Sequence, residues 1–354
     1  MVNLGFWNKV HEKAAAVGRP ILVLAPMADV TDAAFRRIIA ARGKPDVTWT
    51  EFVSADGLAR ADERGKGKLM RDLLFTDAER PIVAQFFTAT PEYMRQAAEL
   101  AVRLGFDGID INMGCPDRGI ERQGAGAALI KTPKLARELI RAAKEGAKNG
   151  TGSLPVSVKT RTGWSVDQLE TWLPELLAEE PAVITVHART RKELSKVPAR
   201  WQEVRRAVEI RDRVQGAGHS NLPKGERTLI FGNGDVRDSA DALAKAGETG
   251  ADGVMLGRAI FGNPWLFSGR DAHDFTIPGA IASISIRERL ETLAEHTKLF
   301  AELLGDIKNF AIMKKHFKAY VTGWDGAAEL RAKLMEANSA EEVRVVIAHY
   351  LDTI

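Results

Sequence analysis

Short apolar runs rich in β-branched residues recur along most of the chain, with amphipathic stretches between them. They are ILVLAPM (21–27), DVTWTEFV (46–53), PIVAQFF (81–87), GIDINMG (108–114), VSVKTRTG (156–163), AVITVHAR (182–189), TLIFGNGDV (228–236) and GVMLGRAIFG (253–262). Near-continuous apolar runs predict strands buried on both faces of a parallel sheet, and eight strand-then-helix units in series predict a (β/α)8 TIM barrel of the α/β class. An open doubly wound sheet is the competing arrangement, but no GxGxxG follows the first run. Residues 1–20 read as a short lead-in helix. Beyond about residue 280 the apolar period becomes helical throughout, in 285–305, 307–324 and 326–354. The expected layout is a lead-in over 1–20, a barrel over 21–280 and a small all-α domain over 281–354.

Each strand run ends in polar or reactive residues: PMADVTD, QFFTAT, NMGCP, KTRTGW, HARTR, GNGD and GRAIFGNP. In a barrel these ends share one face, where side chains far apart in the chain converge on a single pocket. The glycines of FGNGDV and GVMLGRAIFGNP close the seventh and eighth runs, the usual place for a phosphate in a barrel, with Arg258 offering a guanidinium fork. Lys159 points into the mouth, where an ammonium needs an anionic or electron-rich partner. With His187, Gln85 and Asn233 it suits a polar cofactor ring carrying a phosphate. A metal site fits less well, because no second ligand stands at a suitable spacing from His187, and none is expected.

Composition narrows the picture modestly. The 354 residues are 45% hydrophobic and 27% charged, ordinary for a globular protein with a large core. The single cysteine, Cys115, excludes an internal disulfide, so a cytoplasmic location is expected, without membrane association or an obligate protein partner. The net charge of +3 permits a polyanionic partner without requiring one. In KNFAIMKKHFKAY, however, Lys308, Lys314, Lys315 and Lys318 gather into a basic stretch able to hold a phosphate backbone. The insertion HSNLPKGER (219–227) receives no role.

In their order along the chain, APMADVTDAAFR, NMGCP, VSVKTRTGW, VHARTR, GNGDV and GRAIFGNPW resemble the tRNA-dihydrouridine synthases, FMN-dependent barrels with a C-terminal helical RNA-binding domain. The resemblance runs from about residue 20 to the C-terminus. It implies FMN as cofactor, NADPH or NADH as electron donor, tRNA as partner, and reduction of the 5,6-double bond of specific uridines. By that resemblance Pro26, Met27 and Ala28 lie against the flavin, and Gln85 and Lys159 contact its ring. His187, Asn233, Gly234, Asp235, Gly257 and Arg258 hold the ribityl phosphate. Asn112, Arg161 and Arg189 face the substrate, Lys314, Lys315 and Lys318 grip RNA, and Cys115 protonates C5. A thiol suits that task, because its ordinary pKa of about 8.5 leaves it protonated yet able to give up its proton.

The sequence departs from the family pattern at Asp29 and Ala188, where glycine is usual, in QFFTAT, and in DRGIERQGAGAAL. Two other readings compete: an FMN oxidoreductase of a free pyrimidine or small enone, and a catalytically idle RNA-binding barrel. The helical domain argues against the first, and the presence of Cys115 with Lys159 against the second.

Overall fold

The computed structural model describes residues 2–150, 152–216, 227–268 and 284–354. All eight apolar runs form strands: β1 (Ile21–Leu24), β2 (Thr48–Ser54), β3 (Ile82–Phe87), β4 (Gly108–Met113), β5 (Val156–Arg161), β6 (Val183–His187), β7 (Leu229–Asn233) and β8 (Gly253–Leu256). Every neighbouring pair is parallel, in the order β1-β8-β7-β6-β5-β4-β3-β2, and a parallel bridge from Val23 to Val47 joins the two ends. The expected TIM barrel is therefore present. Most strands stop short of the apolar runs that predicted them, because the trailing polar residues leave the ladder and form the loops of the barrel mouth.

Alternation is missing from the strands because both faces are covered. Inward-facing Ile21, Val23, Trp49, Val83, Phe231 and Met255 fill the barrel, so it is a packed core rather than a pore. The lead-in helix α1 (Trp7–Ala16) plugs the end away from the mouth. Trp7 is buried there, with ring centroids 5.7 Å from Trp49 and 5.5 Å from Phe231. Outer faces pack on α2 (Ala33–Arg42), α3 (Pro91–Leu104), α4 (Pro133–Gly146), α5 (Leu169–Leu177), α6 (Trp201–Gly216) and α7 (Ser239–Thr249). Among the described residues β8 is followed only by a 3₁₀ turn, Arg258–Ile260, before the helical region. The junction expected near residue 280, and all but the last residue of the 219–227 insertion, lie outside the described residues.

The helical region comprises α8 (Ile286–Leu304), α9 (Lys314–Tyr320), α10 (Ala327–Glu336) and α11 (Ala340–Leu351). It packs on α2, where Phe35 stacks on His296 at 4.7 Å and meets His316 edge-on at 5.0 Å. Ion pairs cross the same seam: Arg42 to Glu295 at 2.7 Å and Arg71 to Asp306 at 3.0 Å. The stretch 307–324, read from sequence as one helix, is broken. Asn309 caps a 3₁₀ turn, Phe310–Met313, by accepting the Ala311 N–H at 2.8 Å, and α9 starts only at Lys314. Lys308 is thereby excluded from the helix and turns to the barrel. No helix among the described residues is long and apolar enough to cross a membrane.

Candidate active site

One wall of the mouth is built by β1 and β5–β8. The loop after β1 supplies Pro26 and Met27, β5 supplies Lys159, β6 His187, β7 Asn233, and the turns beyond β7 and β8 supply Gly234, Asp235, Gly257 and Arg258. Together with Arg189 and Ser195 they line a cavity of about 290 Å³. Gly234 has φ +121°, and a Cβ there would meet the Ala199 Cβ at 2.9 Å and the His187 ring at 3.2 Å, so only glycine fits. Gly232, read from sequence as part of a phosphate cradle, instead makes room for Trp201, whose ring a Cβ would strike at 2.3 Å.

The charges on this wall do not cancel. Asp235 is shared between Arg189 and Arg258, the latter at 2.6 Å. Against burial, those two guanidiniums and the Ala199 N–H hold its carboxyl below the usual range. Lys159 makes no hydrogen bond or ion pair with any described residue, and burial, with Arg161 nearby, pulls its amine down to about 8. Burial and the charges of Lys159, Arg161, Arg189 and Arg258 push His187 well below its ordinary value, so the ring is neutral. The Arg189 guanidinium can only donate, and it lies 3.1 Å from His187 Nε2, which therefore carries the lone pair while Nδ1 holds the proton. Cations outnumber carboxylates among the described residues of this wall, and the cavity has room for a further anion.

The opposite wall, from β3 and β4, is fully satisfied. Gln85 donates to Asp110 at 2.5 Å and accepts from Asn112 at 3.2 Å, and Ser157 donates to the other Asp110 oxygen at 2.5 Å. Burial raises the Asp110 carboxyl to about 6. Asn112 Oδ1 accepts the N–H groups of Gly114 at 3.1 Å and Cys115 at 2.9 Å, which fixes the turn that presents the thiol. The Cys115 side chain, partly exposed, packs with Phe52, Phe87 and Ile120. Burial pushes its thiol above the ordinary value, so it is protonated at neutral pH.

The cavity thus unites Pro26, Met27, Lys159, His187, Asn233, Gly234, Asp235, Gly257 and Arg258, while Ala28 and Gln85 stand outside its lining. Arg161 and Arg189, expected on the substrate, have their donors engaged by the protein. Arg161 donates to the carbonyls of Gly114 at 2.7 Å and of Thr190 and Leu194 at 3.2 Å, joining the loops after β4 and β6. Arg189 holds Asp235, His187 and the Val197 carbonyl. Lys314, Lys315 and Lys318 are brought together with Arg331, Ala328, Ala332 and Met335 around a groove of about 580 Å³ between α9 and α10. Sequence reasoning missed Ser195 and Asp110; the latter was signalled by an acid inside the apolar run GIDINMG.

Asp29 explains one departure from the family pattern. Its φ is +53°, the left-handed region in which glycine is easiest and Asp is tolerated. Its N–H donates to Glu51 Oε1 at 2.5 Å.

Known proteins resemble this chain over nearly its whole length. The family profile described as "Dihydrouridine synthase (Dus)" matches residues 23–353. A Bacillus subtilis (strain 168) protein named "Probable tRNA-dihydrouridine synthase 2" is 38% identical over 355 residues, covering 99% of this chain and 98% of that protein. A "Probable tRNA-dihydrouridine synthase" of Staphylococcus aureus (strain MRSA252) is 36% identical over 347 residues, covering 98% and 95%. Among solved structures, histamine dehydrogenase from Rhizobium sp. 4-9 superposes with a TM-score of 0.52 at 13% identity, over 79% of this chain and 49% of that one, a likeness of fold alone.

Proposed function

Because the chain belongs to the dihydrouridine synthase family, we propose that it reduces the 5,6-double bond of specific uridines in tRNA to dihydrouridine, with FMN in the cavity, NADPH or NADH as electron donor and Cys115 as the proton donor to C5. The observation that carries this reading is an electropositive cavity whose lysine, without a partner among the described residues, faces a protonated thiol across one mouth. The residues present fit a phosphorylated, electron-rich ring. Gly234 and Gly257 line the cavity, and Arg258, whose side chain is 65% exposed, can turn a guanidinium edge toward a phosphate there. Neutral His187 can donate from Nδ1. Pro26 and Met27 supply an apolar edge for the ring.

Bound FMN supplies a hydride for C6 of the uracil ring. Lys159 would hold the electron-rich edge of the flavin ring, where an ammonium of lowered hydration is most effective. Cys115 holds the proton that C5 requires on its Sγ. Asn112 and Arg161 keep the thiol's turn in place, and we assign Arg189 to bracing the His187 and Asp235 wall. Once the proton has left, the thiolate lies within the fields of Lys159 and Arg161, which favour the charged form, and the partly exposed mouth lets solvent reprotonate it. We take residues 21–280 as the catalytic barrel, 1–20 as its plug and 281–354 as the RNA platform, with Lys314, Lys315 and Lys318 on the groove that receives phosphates.

Reconstitution tests the reading. Protein mixed with FMN should acquire bound-flavin absorbance and, given NADPH or NADH and unmodified tRNA, form dihydrouridine detectable by mass spectrometry of nucleosides. Protein that takes up no FMN, or that oxidises the nicotinamide while leaving every tRNA unchanged, contradicts it.

A further inference from the structure

We propose that Lys308 is a positioning residue for the cofactor: reaching from the helical region to the barrel mouth, it fixes Glu51, which fixes the turn that lines the cavity through Met27. The proposal rests on reading that cavity as the FMN site. Sequence grouped Lys308 with the RNA-facing lysines, yet its side chain is only 13% exposed. Its Nζ lies 2.8 Å from Glu51 Oε2, 3.0 Å from Asp72 Oδ1 and 3.6 Å from Asp29 Oδ1. An RNA phosphate would have to displace these carboxylates to reach it.

Glu51 carries the connection onward. Its side chain is 6% exposed, and while one oxygen holds Lys308 the other accepts the Asp29 N–H at 2.5 Å. Asp29 needs that support, because a left-handed φ costs a residue with a Cβ about 1–2 kcal/mol and persists only where neighbours hold it. The turn it belongs to is closed on itself. The Met27 carbonyl accepts the Val30 and Thr31 N–H groups, and the Met27 N–H donates to Thr31 Oγ1 at 2.9 Å. A shift at Asp29 therefore moves Met27, on the cavity wall. Without Lys308, the buried Glu51 and the partly exposed Asp72 would lose the cation held between them, and Glu51 would lose the partner that sets its rotamer. On this account the helical region both receives RNA and completes the cofactor wall.

Titration of apoprotein with FMN, followed by flavin fluorescence, tests this alongside binding of labelled tRNA at several salt concentrations. Lys308→Met should raise the FMN Kd about tenfold or more and leave the salt slope of tRNA binding unchanged, while Lys308→Arg, which keeps the charge, should stay within about threefold of wild type. An unchanged FMN Kd in Lys308→Met, with a tRNA salt slope smaller by about one, would make Lys308 an RNA contact and overturn the proposal. If Lys308→Met does not fold, Lys308→Met/Glu51→Gln, which removes one charge of each sign, serves in its place. An FMN Kd within about twofold of Glu51→Gln alone supports action through Glu51, and a further loss of about tenfold refutes it. Wild-type protein that binds no FMN overturns the cofactor reading itself, before any variant is made.

Discussion

The barrel mouth and the seam between barrel and helical region both gather groups able to carry charge, and they treat them in opposite ways. At the seam, Arg42, Arg71 and Lys308 each meet a carboxylate, and the two buried histidines, His296 and His316, are held neutral. At the mouth, Lys159 has no partner among the described residues, and two guanidiniums share the single carboxylate of Asp235. A buried charge left unpaired costs several kcal/mol, so a fold tolerates it where a ligand completes the pairing. Paired charge joins the two regions here, and a lysine without a partner among the described residues marks the candidate site.

The largest expected effect lies at the seam. Among the described residues His296 and His316 have no hydrogen-bond partner, and burial lowers both, His316 to about 3. Their folded values lie below the unfolded value near 6.5, so the unfolded chain binds more protons in acid. Stability is then full above pH 6.5 and is lost as pH falls toward the folded values, by about 2 kcal/mol per histidine between pH 7 and pH 5. Thermal melts across that range should show it, and His316→Phe should remove about half of the slope. A stability independent of pH between 7 and 5 would break the contrast, because the seam would then not depend on neutral histidines.

The next effect belongs to the mouth. Lys159→Met should weaken FMN binding by about 10- to 100-fold, the worth of a charge-assisted hydrogen bond, without lowering the melting temperature. Burial, with Arg161 nearby, pulls the Lys159 amine of the ligand-free protein down to about 8. An anionic ligand prefers the protonated form, so wild-type affinity should hold below pH 8 and fall above it, by up to about tenfold per pH unit, whereas Lys159→Met should show no such decline. Equal pH profiles for the two proteins would mean that Lys159 does not face the ligand.

A smaller effect sharpens the assignment of the exposed lysines. Lys314→Ala/Lys318→Ala should reduce the slope of log affinity for tRNA against log salt by about 1.8, two released counterions, while FMN affinity stays at its wild-type value. An unchanged slope would leave the groove between α9 and α10 as a merely solvated surface.

Much of the site was legible because of where the barrel puts it. Lys159, His187 and Asn233 each sit within or at the end of an apolar run, and parallel strands in a closed ring bring such positions to one mouth whatever their separation in sequence. Contacts that depend on loop geometry were not legible. Ser195 reaches the cavity from a loop without periodicity, and Arg189 turns back to Asp235 and the Val197 carbonyl rather than out to the substrate. Gly232 carried the composition of a phosphate turn but serves Trp201. The sequence marked Asp29 as unusual, yet the reason, a left-handed turn braced by Glu51 and Lys308, spans residues from three distant segments. Lys308 was misplaced because the run 307–324 was read as an unbroken helix; Asn309, a favoured cap, was the available sign of the break.

The account stands on the separation of the two walls of the mouth, a wall on which cations outnumber carboxylates and a thiol wall whose polar groups are satisfied. Rapid-mixing kinetics of Cys115→Ala holoenzyme, following nicotinamide oxidation and dihydrouridine formation separately, test it most directly. Nicotinamide oxidation should proceed at the wild-type rate, with FMN affinity unchanged, while dihydrouridine formation falls by about 10²- to 10⁴-fold, the contribution of a general acid. If both processes fell together, or neither changed, Cys115 would not be the acid, and the division between the walls would be wrong.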